Sequence, residues 1–360
     1  MPMISREEIQ EILKRYDKKN IRIATLCSHS SLQIFHGAKQ EGFKTIGIRV
    51  GEDKITFDAF PKVKPDTFIT VEEFSDVERF QELLVEQNAI LIPHGSLVEF
   101  VGKKIEDLAM PILGNRSALI WESDRNKMIS WMQKAGLKVP KVFKPDEIDR
   151  PCIVKFPGAK GGRGYIVVKS RQELEKKVKE RNIPRELLEK AVIQEYIVGI
   201  RFYPHFFHSP FHSDGFRVGD GRLELLGIDQ RIEDIIDEIY RANTFGYSPE
   251  PQFTVVGNAP IVARESLLDQ LLGIGKKTVE TSIELFGGIP GPFCVETTCN
   301  ENLEFYTFEI SSRIVAGTNL FVQGSPYSWY IFDEPMSMGR RIAREIKLAL
   351  KKNALEKIVY

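Results

Sequence analysis

The sequence predicts an α/β protein in which a parallel sheet comes first and a more antiparallel module follows. Three observations lead there. Apolar strands and helices alternate as far as Pro93, short strands take over after Cys152, and a β-rich hairpin follows Cys294. The 360 residues, 42% hydrophobic and 28% charged, suffice for two or three domains with ordinary cores.

A helix begins the chain: Ser5 and Glu8 have the spacing of a capping box, with Ile4 against Ile9 as its hydrophobic staple. Next come a strand at 21–27, a helix at 31–41, strands at 45–50 and 67–71, a helix at 75–87 and a strand at 89–93. That order implies a parallel sheet covered on both faces. Two strands end in small polar residues, Ser28-His29-Ser30-Ser31 and His94-Gly95-Ser96, at the edge where open α/β sheets hold ligands. A boundary near 111–116 separates an N-terminal domain, 1–115, from a module at 116–360, which opens with a helix at 122–135. Residues 150–200 suggest a small α+β lid, and 201–360 mixes strands with amphipathic helices at 265–286 and 338–351.

Lys plus Arg and Asp plus Glu both total 50, so no basic excess supports nucleic-acid binding. No apolar run is long enough for a membrane span or signal peptide, and a cytoplasmic protein is expected. Cys27, Cys152, Cys294 and Cys299 have neither C-x-x-C spacing nor disulfide density and read as reduced thiols. His205, His208 and His212 lie close together but without a ligand motif, so no metal is expected there.

The chemistry concentrates in three segments. Lys155 ends a strand and leads into a loop containing Gly158, Lys160, Gly161, Gly162, Arg163 and Gly164, where bare backbone and positive charge suit phosphate oxygens. No Gly-Lys-Ser/Thr follows, and the next element is a strand, which excludes a Walker loop; a nicotinamide site is disfavoured because 21–31 lacks G-x-G-x-x-G. Gln194-Glu195-Tyr196-Ile197-Val198-Gly199 is a strand stopping at glycine, able to offer backbone groups to an adenine edge, with Gln194 or Glu195 reaching the exocyclic amine. In the hairpin, a tight turn centred between Glu301 and Asn302 sets Glu296 opposite Thr307, with Glu309 its diagonal neighbour at roughly 7–8 Å. Two such carboxylates in a cleft suit divalent cations that also hold phosphate.

Lysine, glycine-rich loop, Q-E-Y-φ-x-G strand and paired carboxylates followed by Arg313 together resemble the ATP-grasp superfamily, over the whole chain. The resemblance implies a Rossmann-like N-terminal domain and a two-part ATP-grasp module using ATP with Mg²⁺ or Mn²⁺. Lys155 and the 158–164 loop would meet the phosphates, Gln194 to Val198 would frame adenine, Glu296 and Glu309 would hold metal, and Arg313 would steady the transferred phosphoryl group. Ser311 departs from the pattern, which usually has Asn there.

Ala24 to Ser30, Trp121 to Arg125, Gly257-Asn258, Phe308 to Ser311 and Gly324 to Tyr327 are also similar to the archaeal 5-formaminoimidazole-4-carboxamide ribonucleotide (FAICAR) synthetase family. That likeness implies a C–N ligase of purine biosynthesis acting on formate and 5-aminoimidazole-4-carboxamide ribonucleotide (AICAR). It implies that His29, Ser96 and Asn258 contact AICAR and that Glu233 lies at the nucleotide; Gly257 to Pro260 reads as a turn, and if the ligand is AICAR its 5′-phosphate should meet N–H groups near 28–31. Residues 230–252 depart from the family, which leaves a paralogous carboxylate–amine ligase as the alternative and a non-catalytic nucleotide binder as a further one. Small-molecule substrates and a homo-oligomer are expected.

Overall fold

The computed structural model describes residues 4–51, 55–156, 165–233, 236–247 and 254–360. Its first helix, Arg6–Lys14, has the expected capping box: Glu8 N–H donates to Ser5 Oγ at 3.2 Å, and Ser5 N–H to Glu8 Oε2 at 2.7 Å. Strands β1 (Arg22–Leu26), β2 (Lys44–Val50), β3 (Thr67–Val71) and β4 (Ala89–Leu91) form a parallel sheet in the order β3-β2-β1-β4. The chain winds outward from β1 to β3, then returns to add β4 on the other side. The switch point therefore falls between β1 and β4, where ligands settle in sheets of this kind. Alternate residues feed two cores: Ile23 and Ile90 pack toward the helices Arg6–Lys14 and Met338–Lys352, while Ala24, Leu26 and Leu91 pack toward Leu97, Val101 and Leu119.

Two expected helices are each divided. The helical signal at 122–135 resolves into Arg116–Ser123 and Arg125–Lys134, because Asp124 stops one helix and caps the next through the N–H groups of Asn126 and Lys127 at 3.0 and 3.1 Å. Residues 75–87 form a 3₁₀ turn, Phe74–Phe80, followed by a short α-helix, Gln81–Glu86.

A small antiparallel sheet contains β5 (Val142–Phe143), β6 (Cys152–Lys155), β7 (Ile166–Val168) and β8 (Val192–Glu195), in the order β5-β8-β6-β7. The helix Arg171–Glu180 covers one face through Leu174. The larger antiparallel sheet contains β9 (Ile200–Ser209), β10 (Arg217–Val218), β11 (Gly221–Glu233), β12 (Val255–Pro260), β13 (Gly291–Cys299) and β14 (Phe305–Ser311). Its order is β10-β11-β9-β13-β14, with β12 also paired to β11.

Period-two alternation divides the chemistry of this large sheet. Phe206, Ile228, Phe293, Val295 and Ile310 face a core built with Met128 and Trp131 on one helix and Leu271 and Val279 on the helix Leu268–Phe286. The opposite face carries Arg201, Tyr203 and His205 on β9, Asp229, Arg231 and Glu233 on β11, and Cys294 and Glu296 on β13. Among the described residues, no helix is long and apolar enough to cross a membrane.

Candidate active site

β1 runs out into Ser28 and His29, and β4 into His94, Gly95 and Ser96, so the two loops meet at the switch point. Ser96 Oγ donates to Ser28 Oγ at 3.0 Å, and the His29 and His94 rings stack with 5.3 Å between centroids. Gly95 permits this approach, since a Cβ there would lie 2.6 Å from His29 Nε2. His94 is sealed from water; its Nδ1 accepts from Ser96 N–H at 3.2 Å, so Nε2 carries the proton and donates to Leu26 O at 2.9 Å. Burial lowers its pKa to about 4. His29 keeps one side open to solvent, yet the protein crowding it, and then Arg313, His94 and Arg231, hold its pKa well below the ordinary histidine value. It is therefore a neutral hydrogen-bonding group at pH 7, not a fixed cation. The N–H groups expected to cradle a phosphate at 28–31 are partly engaged: Ser28 donates to Leu26 O at 2.8 Å and Ser31 to Ser28 O at 3.0 Å.

The hairpin forms, with a register different from the expected one. Its loop is one residue longer, pairing Cys299 with Phe305, and a bulge between Glu296 and Thr297 leaves Phe308 as the extra residue on β14. Thr307 therefore pairs with Thr297, and Glu309 stands directly opposite Glu296 instead of diagonal to it. The separation of paired Cβ atoms is then roughly 4.5–5.5 Å. Arg231 lies over the Tyr203 ring, 4.1 Å from its centroid, and grips Glu296 with both terminal nitrogens, 2.9 Å and 2.5 Å from the two carboxylate oxygens. Desolvation, followed by repulsion from Glu296, pushes the Glu309 pKa up to about 7 against the attraction of Arg231 and Lys155. Ser311 Oγ is 3.5 Å from Glu296 Oε1.

Lys155 reaches the same cleft from the end of β6. It is buried with its Nζ 5.3 Å from the Phe308 ring centroid, and desolvation lowers its pKa to about 8 while Glu309 opposes the shift. Tyr165 and Arg125 are hydrogen-bonded beside it, within the field of Glu309. Gly158, Lys160, Gly161, Gly162, Arg163 and Gly164 lie outside the described residues. Gln194 is buried, whereas Glu195 is turned toward Arg150 Nη1 at 3.2 Å and Lys141 N–H at 3.3 Å, so of the two it is not the one free for an adenine amine. The N–H groups of Glu195 and Tyr196 are committed to Lys141 O and Pro151 O, while Val198 is 76% exposed beyond the end of β8. Glu233 is ion-paired with Arg201 across the large sheet.

Arg313 joins the two halves. Its Nε donates to Glu122 Oε1 at 3.0 Å, Glu122 also takes the Ser312 N–H at 2.8 Å, and the Arg313 charge acts on both His29 and His94. Asn258 lies on a strand and not in the turn expected at 257–260. β12 pairs it with Arg231, and its Nδ2 donates to Asp229 Oδ2 at 2.7 Å. Sequence reasoning assigned no role to Arg231, Asp229, Glu122, Arg125, Tyr165 or His94. For Asp229 and Arg231 the available signal was the polar alternation Asp229, Arg231, Glu233 at the end of β11.

The donor set fits a divalent cation. Two directly opposed carboxylates are hard oxygen ligands, and burial together with their mutual repulsion raises the pKa of Glu309, a cost that a cation between them would relieve. Among the described residues no three metal-ligating side chains converge, which leaves further coordination positions to phosphate oxygens and water, as magnesium prefers.

Lys155 from one antiparallel sheet and the glutamate pair from another border a single cleft, and the fold that carries them is that of the ATP-grasp proteins. The biotin carboxylase domain of Hydrogenobacter thermophilus 2-oxoglutarate carboxylase, solved with MgADP, shares the fold with a TM-score of 0.64 over 91% of this chain and 69% of that one, at 14% identity. More specifically, the chain belongs to the 5-formaminoimidazole-4-carboxamide-1-(beta)-D-ribofuranosyl 5'-monophosphate synthetase family. A member so named from Methanothrix thermoacetophila is 50% identical, covering 99% of this chain and 100% of its own length. The crystal structure of an IMP biosynthesis protein PurP from Thermococcus kodakaraensis superposes with a TM-score of 0.73 at 31% identity, over 94% of this chain and all of that one. Two families described only as a domain (DUF1297) and a protein (DUF1246) of unknown function match residues 169–360 and 23–143.

Proposed function

We propose that this protein uses ATP to join formate to the 5-amine of AICAR, forming FAICAR in purine biosynthesis. The observation that carries the reading is the Glu296–Glu309 pair, directly opposed in the cleft that Lys155 reaches, in a chain half identical to synthetases of that product. Formate resists attack because an amine would have to expel oxide. Transfer of the ATP γ-phosphoryl group gives formyl phosphate, from which phosphate departs readily when the amine attacks.

Lys155 and Arg313 supply fixed charge along the phosphate path, and Glu296 and Glu309 would hold Mg²⁺ or Mn²⁺, which neutralises charge developing on the transferred group. Gln194 and the segment through Val198 border the adenine, with Glu195 and Tyr196 holding that segment to the lid and Glu233 at the nucleotide. His29, Ser96 and Asn258 bind AICAR; neutral His29 contributes a hydrogen bond or accepts a proton. In this reading residues 1–115 form the N-terminal domain and 116–360 the ATP-grasp module, with the lid at 150–200 and the metal and substrate region at 201–360. The enzyme works in the cytoplasm as a homo-oligomer. Incubation with ATP, formate and AICAR should yield FAICAR, ADP and phosphate in equal amounts. ATP turnover that follows a different carboxylate or amine would replace this reading with that of a paralogous ligase.

A further inference from the structure

Asp229 is a carboxylate sunk into the substrate side of the large sheet with no established task. It is 1% exposed, and its position is defined from three directions. Gly317 packs against it so closely that a Cβ would sit 2.2 Å from Oδ1. His205 Nε2 is 2.8 Å from the same oxygen, although too poorly aligned to hydrogen-bond. Oδ2 takes the Asn258 Nδ2 proton at 2.7 Å.

A carboxylate offers only acceptors, so the Asn258 amide must meet it through NH₂ and cannot flip. Its carbonyl oxygen then points away from Asp229. Asn258 is half-buried, on the face shared with Arg231 and Asp229, so that oxygen is available to the cleft. Left unrestrained, an asparagine amide serves donors and acceptors equally by turning over.

We infer that Asp229 is a positioning residue that locks Asn258 as a hydrogen-bond acceptor, making the site select a carboxamide N–H over a carboxylate at the same place on the imidazole. The inference rests on Asn258 contacting AICAR. A ligand carboxylate would face the Asn258 oxygen without a proton between them, whereas an amide donates to it. Sites that match a polar group in this way reject analogues that cannot reciprocate by large factors.

The test compares the KM for AICAR with the Ki of its 4-carboxylate analogue in the wild type, Asp229→Asn and Asn258→Ala, alongside the KM for ATP. The wild type should prefer the carboxamide by about 100-fold or more. Asp229→Asn frees the amide to turn over, so the preference should fall to within about tenfold while the ATP KM stays unchanged. Asn258→Ala, at a half-buried strand position, should lose the preference with Asp229 intact, and if Asp229→Asn does not fold, Gly317→Ala, whose Cβ would displace the Asp229 carboxylate, should lower the preference likewise. A wild type that turns over AICAR yet treats the two ligands alike, or variants that keep full preference, would overturn this inference alone. A wild type that ignores AICAR would remove the proposed function and the inference with it.

Discussion

Glu309→Gln should stabilise the metal-free protein at alkaline pH while abolishing catalysis. An ordinary glutamate titrates near 4.5, whereas Glu309 is pushed up to about 7 by desolvation and by Glu296 opposite it. Below the unfolded value both states hold the proton and the site costs nothing. As pH rises through 4.5 to 7 the folded state keeps a proton that the unfolded state releases, so stability declines, and above 7 the full cost is present. At about 1.4 kcal/mol per tenfold change in proton affinity, that cost is about 3 kcal/mol at pH 8 and under about 1 kcal/mol at pH 5. Glutamine carries no charge, so the variant recovers this amount. Urea unfolding followed by tryptophan fluorescence, without metal or nucleotide, measures it at both pH values. Adding Mg²⁺ with a non-hydrolysable ATP analogue should reverse the order, because only the wild type gains full ligand stabilisation. A variant no more stable than wild type at pH 8, or equally stabilised at pH 5, would refute the reasoning.

Lys155→Ala should lose about 2–4 kcal/mol in kcat/KM, with ATP affinity falling more than AICAR affinity in steady-state kinetics. His29→Ala should raise the KM for AICAR with little change for ATP; Gly95→Ala should do the same, since its new Cβ displaces the His29 ring. Arg231→Met strips Glu296 of its bidentate partner in a buried setting, and should destabilise the ligand-free protein by about 3 kcal/mol or more near neutral pH in the same urea assay.

Local chemistry made much of this fold legible. Ser5 and Glu8 define the first helix by a reciprocal hydrogen bond within four residues, and residues 67–71 form a strand at the bounds expected from alternation. Asp124 was misread because its neighbours continue a helical pattern, whereas its carboxylate finds the free N–H groups of a new helix and breaks the old one. The glutamates were legible as a pair, but not their register, because neither the extra loop residue nor the bulge at Phe308 leaves a mark in composition or period. Arg231, Asp229 and Glu122 escaped notice since each acts on a residue far away in sequence: Glu296, Asn258 and Arg313. Asn258 looked like a turn because Gly257 and Pro260 flank it, yet β11 offers an edge on which that segment pairs.

Isotope transfer tests the chemistry most directly. With ¹⁸O-labelled formate, ATP and AICAR, formyl phosphate places one formate oxygen between carbon and phosphorus, and attack by the amine breaks the bond from carbon to that oxygen. The released inorganic phosphate should then carry one ¹⁸O, and FAICAR should carry the other formate oxygen. Phosphate free of label, with FAICAR still produced, would contradict activation through formyl phosphate.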